Sequence, residues 1–334
     1  MSMFRRLKVL IASRDLFHNW LLAGIKYFLV KHGLLKGGVT VKCGDVVITL
    51  NPNVYSIIVN AYHDGVLRDV YCDKTLRGRL GGAVDLVILK DGRGFLRMPD
   101  GIIVSFGSSD IDNVGIIVAI RTWLYDIHFL GFDLNGWLIV DVGAYIGDTP
   151  LYYAKRGALV VAVEPLPSNY EVMLWNLELN PDLKHRVIPV NAAISGRDGF
   201  VEFSYSRFID GGASIYGGGR FKVRVRSMRL STLIKEVTGM GLDLDRFKVR
   251  ALKTSCIGCE YDVINEVDVL RLFDIVKIEY NGYLRGKTYH ELKSVLEKLG
   301  FICRVWAHGE FALRVGLDRH GMITCAKNPS MLLR

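Results

Sequence analysis

Trp137-Leu-Ile-Val-Asp-Val-Gly-Ala-Tyr-Ile-Gly-Asp-Thr149 decides how the rest of the chain is read. Residues 137–142 are apolar apart from Asp141, the pattern of a strand buried on both faces. Residues 143–147 form a tight turn with a glycine at each end. Thr149 and Pro150 then predict a helix start, with Thr149 as N-cap and Pro150 at the first helical position. A strand, a glycine turn and a helix place a ligand site at the carboxyl edge of a parallel sheet.

Downstream the alternation continues. Residues 158–163 read as a second strand ending at Glu164-Pro165, 169–180 as a helix, and 187–191 as a third strand reaching Ala192. A hairpin follows, residues 199–205 and 221–225, around a loop rich in glycine. A short helix over 230–236, a fourth strand over 249–254, a helix over 261–273, a fifth strand over 274–279 and a helix over 288–299 complete the pattern. Residues 301–306 and 322–326, with no helix read between them, predict an antiparallel edge hairpin. The expected fold class is α/β: a Rossmann-like, mainly parallel sheet with helices on both faces.

Upstream, residues 4–35 carry Leu16, Phe17, Trp20, Leu21, Ile25 and Phe28 at helix spacing and predict one helix packed on the protein. Arg5, Arg6, Lys8 and Arg14 at its start also suit a peripheral membrane surface. Residues 39–106 read as short antiparallel strands, the first two joined at Gly44-Asp45. A helix over 114–129 leads back to the glycine turn. This organisation predicts an α+β unit over 1–110 and a ligand-binding domain over 111–334.

Half of the residues are hydrophobic and 23% are charged, which excludes a disordered chain. The net charge of +9 admits RNA or an anionic surface as partner, although no block of like charge forms a stripe. No apolar run reaches the roughly 18–20 residues that a membrane-spanning helix needs. The N-terminus lacks the pattern of a secretory signal. The six cysteines are scattered, mostly in apolar runs, and are expected to pack as free thiols in a cytoplasmic protein. Cys256-x-x-Cys259 has no second ligand pair at zinc spacing, so no metal is expected and packing is the favoured role. The oligomeric state is not legible.

The glycine turn argues against a dinucleotide. A pyrophosphate fingerprint would put glycines at the positions of Tyr145 and Asp148, and here one is bulky and the other negative. S-adenosylmethionine has no phosphate. Asp141 could accept from its ammonium, and the helix start could take its carboxylate. Glu164 stands where an acidic side chain accepts from ribose hydroxyls, and Asn191 with its neighbours would flank the adenine. The expected cofactor set is Asp141, Gly143, Ala144, Tyr145, Gly147, Thr149, Glu164, Pro165, Asn191 and Ala192.

Residues 141–149, Val163-Glu-Pro165, Asn169-Tyr170, Asn176, Asn180, 191–194, Leu252-Lys253, Gly258-Cys-Glu260 and Ile278-Glu279-Tyr280 together resemble the FkbM family of S-adenosylmethionine-dependent methyltransferases. The resemblance runs from about residue 112 onward. It implies the class I methyltransferase fold and O-methyl transfer, often to a hydroxyl of a sugar or other small molecule. It departs at the end of the fourth strand, where Ser255 and Ile257 stand in place of expected acidic residues. Lys253, Ser255, Glu260 and Glu279 are then the candidates for catalysis, with Trp123 and Tyr125 as further lining of an acceptor pocket. Rival expectations are an RNA methyltransferase and a cofactor-binding protein with a degenerate acceptor site.

Overall fold

The computed structural model describes residues 3–107, 123, 129, 131–207, 209–307 and 309–332. The chain divides into two compact units: Met1–Leu124 with Arg207–Ile209, and Tyr125–Ser206 with Asp210–Arg334. The helix expected over 114–129, with Tyr125 and His128, lies outside the described residues apart from Trp123 and Phe129.

In the first unit, the single helix expected over 4–35 is two helices, Met3–Ala12 and Trp20–Lys31. The break falls at Ser13, whose hydroxyl donates to the Leu10 carbonyl (2.6 Å) and starts a 3-10 turn that buries Leu16 and Phe17. The expected packing holds for Leu16 and Phe17, which are buried with Val9 and Ala23, and in part for the half-buried Trp20 and Leu29. Leu21, Leu22, Ile25 and Phe28 face solvent. Strands β1 (Val39–Cys43) and β2 (Val46–Leu50) form the expected hairpin, with Val39, Val41, Ile48 and Leu50 on the buried face.

A helix over Pro52–His63 interrupts what reads as strand. Asn51 caps it through its side-chain oxygen, which accepts from Asn53 N–H (2.8 Å), and Pro52 occupies the first position. Val54, Tyr55, Ile58 and Val59 form its buried stripe. Strands β3 (Leu67–Cys72), β4 (Leu76–Leu80), β5 (Val84–Ile88), β6 (Gly94–Arg97) and β7 (Ile103–Gly107) then make an antiparallel meander in chain order.

The second unit is built on a seven-stranded sheet. Its strands are β8 (Trp137–Val142), β9 (Leu159–Val163), β10 (Val187–Val190), β14 (Val249–Thr254), β15 (Ile275–Asn281), β16 (Ile302–Trp306) and β17 (His320–Ala326). They lie in the order β10-β9-β8-β14-β15-β17-β16. All pairs from β10 to β15 are parallel, and β17 inserts antiparallel between β15 and β16. This is the Rossmann-like class I methyltransferase order. All six residues of β8 are buried, as its apolar run requires. A separate small sheet holds β11 (Ala193–Ile194), β13 (Phe221–Met228) and β12 (Gly199–Tyr205).

Three local expectations are corrected. The helix after the glycine turn runs Asp148–Lys155, two residues earlier than expected, with Gly147 rather than Thr149 at the N-cap. Gly147 takes this place because its φ of +84° closes the turn in the left-handed region. The helix expected over 261–273 is two short pieces, Glu260–Val263 and Val267–Leu270. Between them Glu266 turns its carboxylate to Leu230 N–H (2.6 Å) and Ser231 N–H (2.9 Å), at the start of helix Leu230–Gly239. The last strands are joined by a helix, Gly309–Val315, not by a bare loop.

The cysteines are also corrected. All six pair, as Cys43–Cys72, Cys256–Cys259 and Cys303–Cys325, so none is a packed free thiol. That removes the cysteine-based ground for a reducing compartment. Among the described residues, no helix is long and apolar enough to cross a membrane.

Candidate functional site

The strand order reverses between β8 and β14, and the carboxyl ends at such a point open a crevice. A small cavity of about 50 Å³, open to solvent, lies there. Four successive strand ends reach it: Gly143 after β8, Glu164 after β9, Ala192 after β10 and Ser255 after β14. Pro165, Ile194, Phe203 and Ala213 give it an apolar side.

Gly143 holds the crevice open. Its φ is +85°, and a Cβ there would lie 2.4 Å from the Ser255 carbonyl oxygen. The backbones of β8 and β14 therefore approach as only glycine allows. Gly143 and Ala144 N–H both donate to the Val163 carbonyl (2.9 and 3.0 Å), which pins the turn to β9. Tyr145 is one of three non-glycine residues with positive φ among the described residues. Its conformation aims its N–H at Glu164 Oε2 (2.9 Å).

Glu164 is buried at the cavity wall. Its Oε1 accepts from Leu166 N–H (3.0 Å) and from the Asn169 amide (3.1 Å). Burial pushes its carboxyl up to about 7 against those donors. Asn169 also donates to the Asp210 carbonyl (3.0 Å) and accepts Asp210 N–H (3.0 Å), tying the acid to the loop that roofs the crevice. Asp210 carries that loop by accepting Ser206 N–H (2.6 Å) and Gly212 N–H (2.9 Å). Asn191 does not line the cavity; its amide donates to the Glu164 carbonyl (2.8 Å) and braces the end of β9.

Asp141 also stays out of the cavity wall. It is wholly buried, with Lys253 Nζ at 2.8 Å and the Thr149 hydroxyl donating to Oδ2 (2.6 Å). Lys253 Nζ reaches the Gly143 carbonyl as well (3.3 Å). Asp141, Thr149 and Lys253 thus form one buried polar unit beneath the turn. Asp148, next to it, is buried and pushed up to about 7 by desolvation, with Lys253 acting in the opposite sense.

The other catalytic candidates separate. Ser255 lines the cavity, and its hydroxyl donates to Glu279 Oε2 across β14 and β15. Glu260 is fully buried away from the wall. Its carboxylate accepts from Gly258 N–H (2.7 Å) and Asn281 N–H (2.6 Å) and fixes the ends of two strands. Burial lifts it to about 7. Ile257 has φ +51°, uncommon for a β-branched residue, and its carbonyl receives the Ser214 hydroxyl. Trp123 belongs to the first unit, where its indole N–H donates to Asp100 (2.9 Å).

The roof was missed as a site element in the sequence. Tyr216 lines the cavity, donates to Asp262 and lies under Arg285, whose guanidinium carbon is 4.2 Å from the ring centroid. Arg285 also donates to Asp262 (2.9 Å) and to the Gly258 carbonyl (3.1 Å). The only signal was the density of glycine over 211–219, which lets this loop fold over Tyr145. Among the described residues no cluster of three potential metal ligands occurs.

Residues 141–303 match the family model for the methyltransferase FkbM domain. Just under half of the chain thus resembles an FkbM methyltransferase domain. The match begins inside β8, two residues before Gly143, and ends within β16, so it spans every strand end that meets the cavity. A curated relative, the methyltransferase sdnD of Sordaria araneosa, is 26% identical over 205 residues, covering 52% of this chain and 79% of that protein. The crystal structure of an FkbM methyltransferase from Methylobacillus flagellatus aligns at 14% identity with a TM-score of 0.40. The alignment covers 62% of this chain, and the chain spans 47% of that protein. Fibrillarin of Aeropyrum pernix, solved with natively bound S-adenosyl-L-methionine, aligns at 13% identity and a TM-score of 0.36 over 78% of this chain and 98% of its own.

Proposed function

We propose that the FkbM-like domain binds S-adenosylmethionine at the β8–β14 crevice and methylates a hydroxyl of a small molecule, such as a sugar. One observation carries the reading: Gly143 presses against the Ser255 carbonyl below a cavity whose far side holds the Glu164 carboxylate. The residues present fit the cofactor. Glu164 faces the space with acceptor capacity for ribose hydroxyls, and the apolar side near Ala192 and Phe203 suits an adenine. Gly143, Ala144, Tyr145 and Gly147 shape the turn, while Asp141 and Thr149 act from beneath by holding Lys253 and the turn in place. Bound there, the cofactor supplies an electrophilic methyl group.

This chain's own residues would then orient the acceptor and remove its proton. Ser255 stands at the wall with its hydroxyl already given to Glu279. As an acceptor hydroxyl loses its proton to Ser255 Oγ, the Ser255 proton passes to Glu279 Oε2. The pair replaces the aspartate missing at this strand end, and alignment in the crevice supplies much of the rate. Glu279→Gln is expected to lower turnover about 100- to 10,000-fold with an unchanged cofactor dissociation constant. Release of S-adenosylhomocysteine across a panel of sugar and other hydroxyl acceptors measures it.

Calorimetry with S-adenosylmethionine and with NAD tests the binding claim directly. Binding of NAD without S-adenosylmethionine would refute it. Affinity should also depend on pH. Glu164 is held up to about 7 in the folded chain, so lowering the pH through 7 protonates the acceptor that ribose hydroxyls need. The expected loss approaches about tenfold per pH unit below 7, the limit for one proton. Glu164→Gln should flatten that dependence.

A further inference from the structure

We infer that the two N-terminal helices of the first unit dock on an anionic lipid bilayer. Their outer faces are apolar and uncovered. Phe4, Leu7 and Ile11 form a stripe on helix Met3–Ala12, each between 42% and 68% exposed. Leu21, Ile25 and Phe28 form a second stripe on helix Trp20–Lys31, with Leu22 beside it at 69%. Leu34 and Leu35 extend this surface past the helix end. Isolated exposed leucines are ordinary, but nine large apolar side chains within 32 consecutive residues are not.

The inner faces already have their partners. Val9, Leu16, Phe17 and Ala23 are buried, and Tyr27 and Phe17 stack near Tyr55 of helix Pro52–His63. The outer stripes are therefore a second apolar face that the described residues of the unit leave exposed.

Charge selects the occupant. Lys8 and Lys36 are exposed beside the apolar side chains, Arg6 and Lys31 are exposed at the edge toward Tyr27, and Asp15 is the sole acid of residues 3–36. Lys8 Nζ lies 4.9 Å from the Phe4 ring centroid, so cation and apolar anchor share one face. A second copy of this chain would bring like charge against like charge. A nucleic acid would pair with the cations and leave the aliphatic side chains in water. Anionic headgroups over acyl chains satisfy both at once, with lysine stems lying along the apolar surface.

The full chain should co-sediment with vesicles containing phosphatidylglycerol far more than with vesicles of phosphatidylcholine alone, and added salt should weaken it. The triple variant Leu21→Ser, Leu22→Ser, Ile25→Ser should lower partitioning at least about tenfold. Lys8→Glu with Lys36→Glu should remove the preference for the anionic lipid. All five positions are exposed or half-exposed, so an unchanged melting temperature will show that the variants fold. Failure of the parent chain to sediment with either vesicle overturns the inference, as does equal binding by the triple variant. A parent dimer that the triple variant turns into monomer would assign the surface to a second copy instead. Displacement from vesicles by tRNA through the same stripes would assign it to RNA.

Discussion

Gly143→Val is expected to abolish measurable S-adenosylmethionine binding. Two costs coincide at this position. The φ of +85° lies in the region that β-branched residues avoid, at about 1–3 kcal/mol for the backbone alone. The added Cβ also meets the Ser255 carbonyl at 2.4 Å and its carbon at 2.8 Å, both backbone atoms of the neighbouring strand. Neither can rotate away, so β8 and β14 must separate at their carboxyl ends and the turn must collapse into the crevice. Calorimetry reads the loss, and circular dichroism checks that the fold survives. Gly218→Ala is the matched control in the roof loop, since a Cβ there meets nothing within 4 Å. Retained affinity in Gly143→Val would place the cofactor elsewhere.

Lys253→Met is expected to destabilise the second unit by about 3–5 kcal/mol. Lys253 and Asp141 are both buried, and their ion pair sits between the paired registers of β8 and β14. Removing the ammonium leaves a carboxylate in a low-dielectric interior with only the Thr149 hydroxyl to satisfy it. The double variant Asp141→Leu, Lys253→Met should recover most of that loss, because the Asp141 carboxylate is then no longer left without its ammonium. Urea unfolding of the single and double variants measures both. Equal instability of the two would show that the pair acts through packing and not through charge.

The central sheet was legible because its inner strands β8, β9, β14 and β15 are buried on both faces and so read as short apolar runs. β14 falls where the sequence puts it, and β8 begins and ends with its run. The Pro52–His63 helix was not read, since Val54, Tyr55, Ile58 and Val59 lie among strand-like residues. The cap at Asn51-Pro52 was the available signal. The pairing of Cys303 with Cys325 depends on the register of β16 against β17, which no spacing rule supplies. Hydrophobic periodicity also cannot say which of two apolar faces a helix buries, and the N-terminal helices turn one of them outward. At the site, Gly143, Glu164, Ser255 and Glu279 were each read singly as lying at or near strand ends, and the hydrogen bond that joins Ser255 to Glu279 was not read. The role of Asp141 was read as direct because nothing in its local sequence reveals that Lys253 folds against it.

The Lys253 contact with the Gly143 carbonyl joins residues 110 positions apart, through a parallel pairing with a long intervening chain. Such pairings form slowly, because the closure of a long loop precedes the contacts that reward it. β9, β10 and the small sheet lie within that loop, and β15 and the edge strands build outward from β14. The crevice thus comes into being only when the two halves of the sheet zip together along β8. Cofactor capture during refolding should accordingly trail the gain of helical signal and coincide with the last recovery of tertiary structure, so that ligand binding acts as a clock for the completion of the sheet.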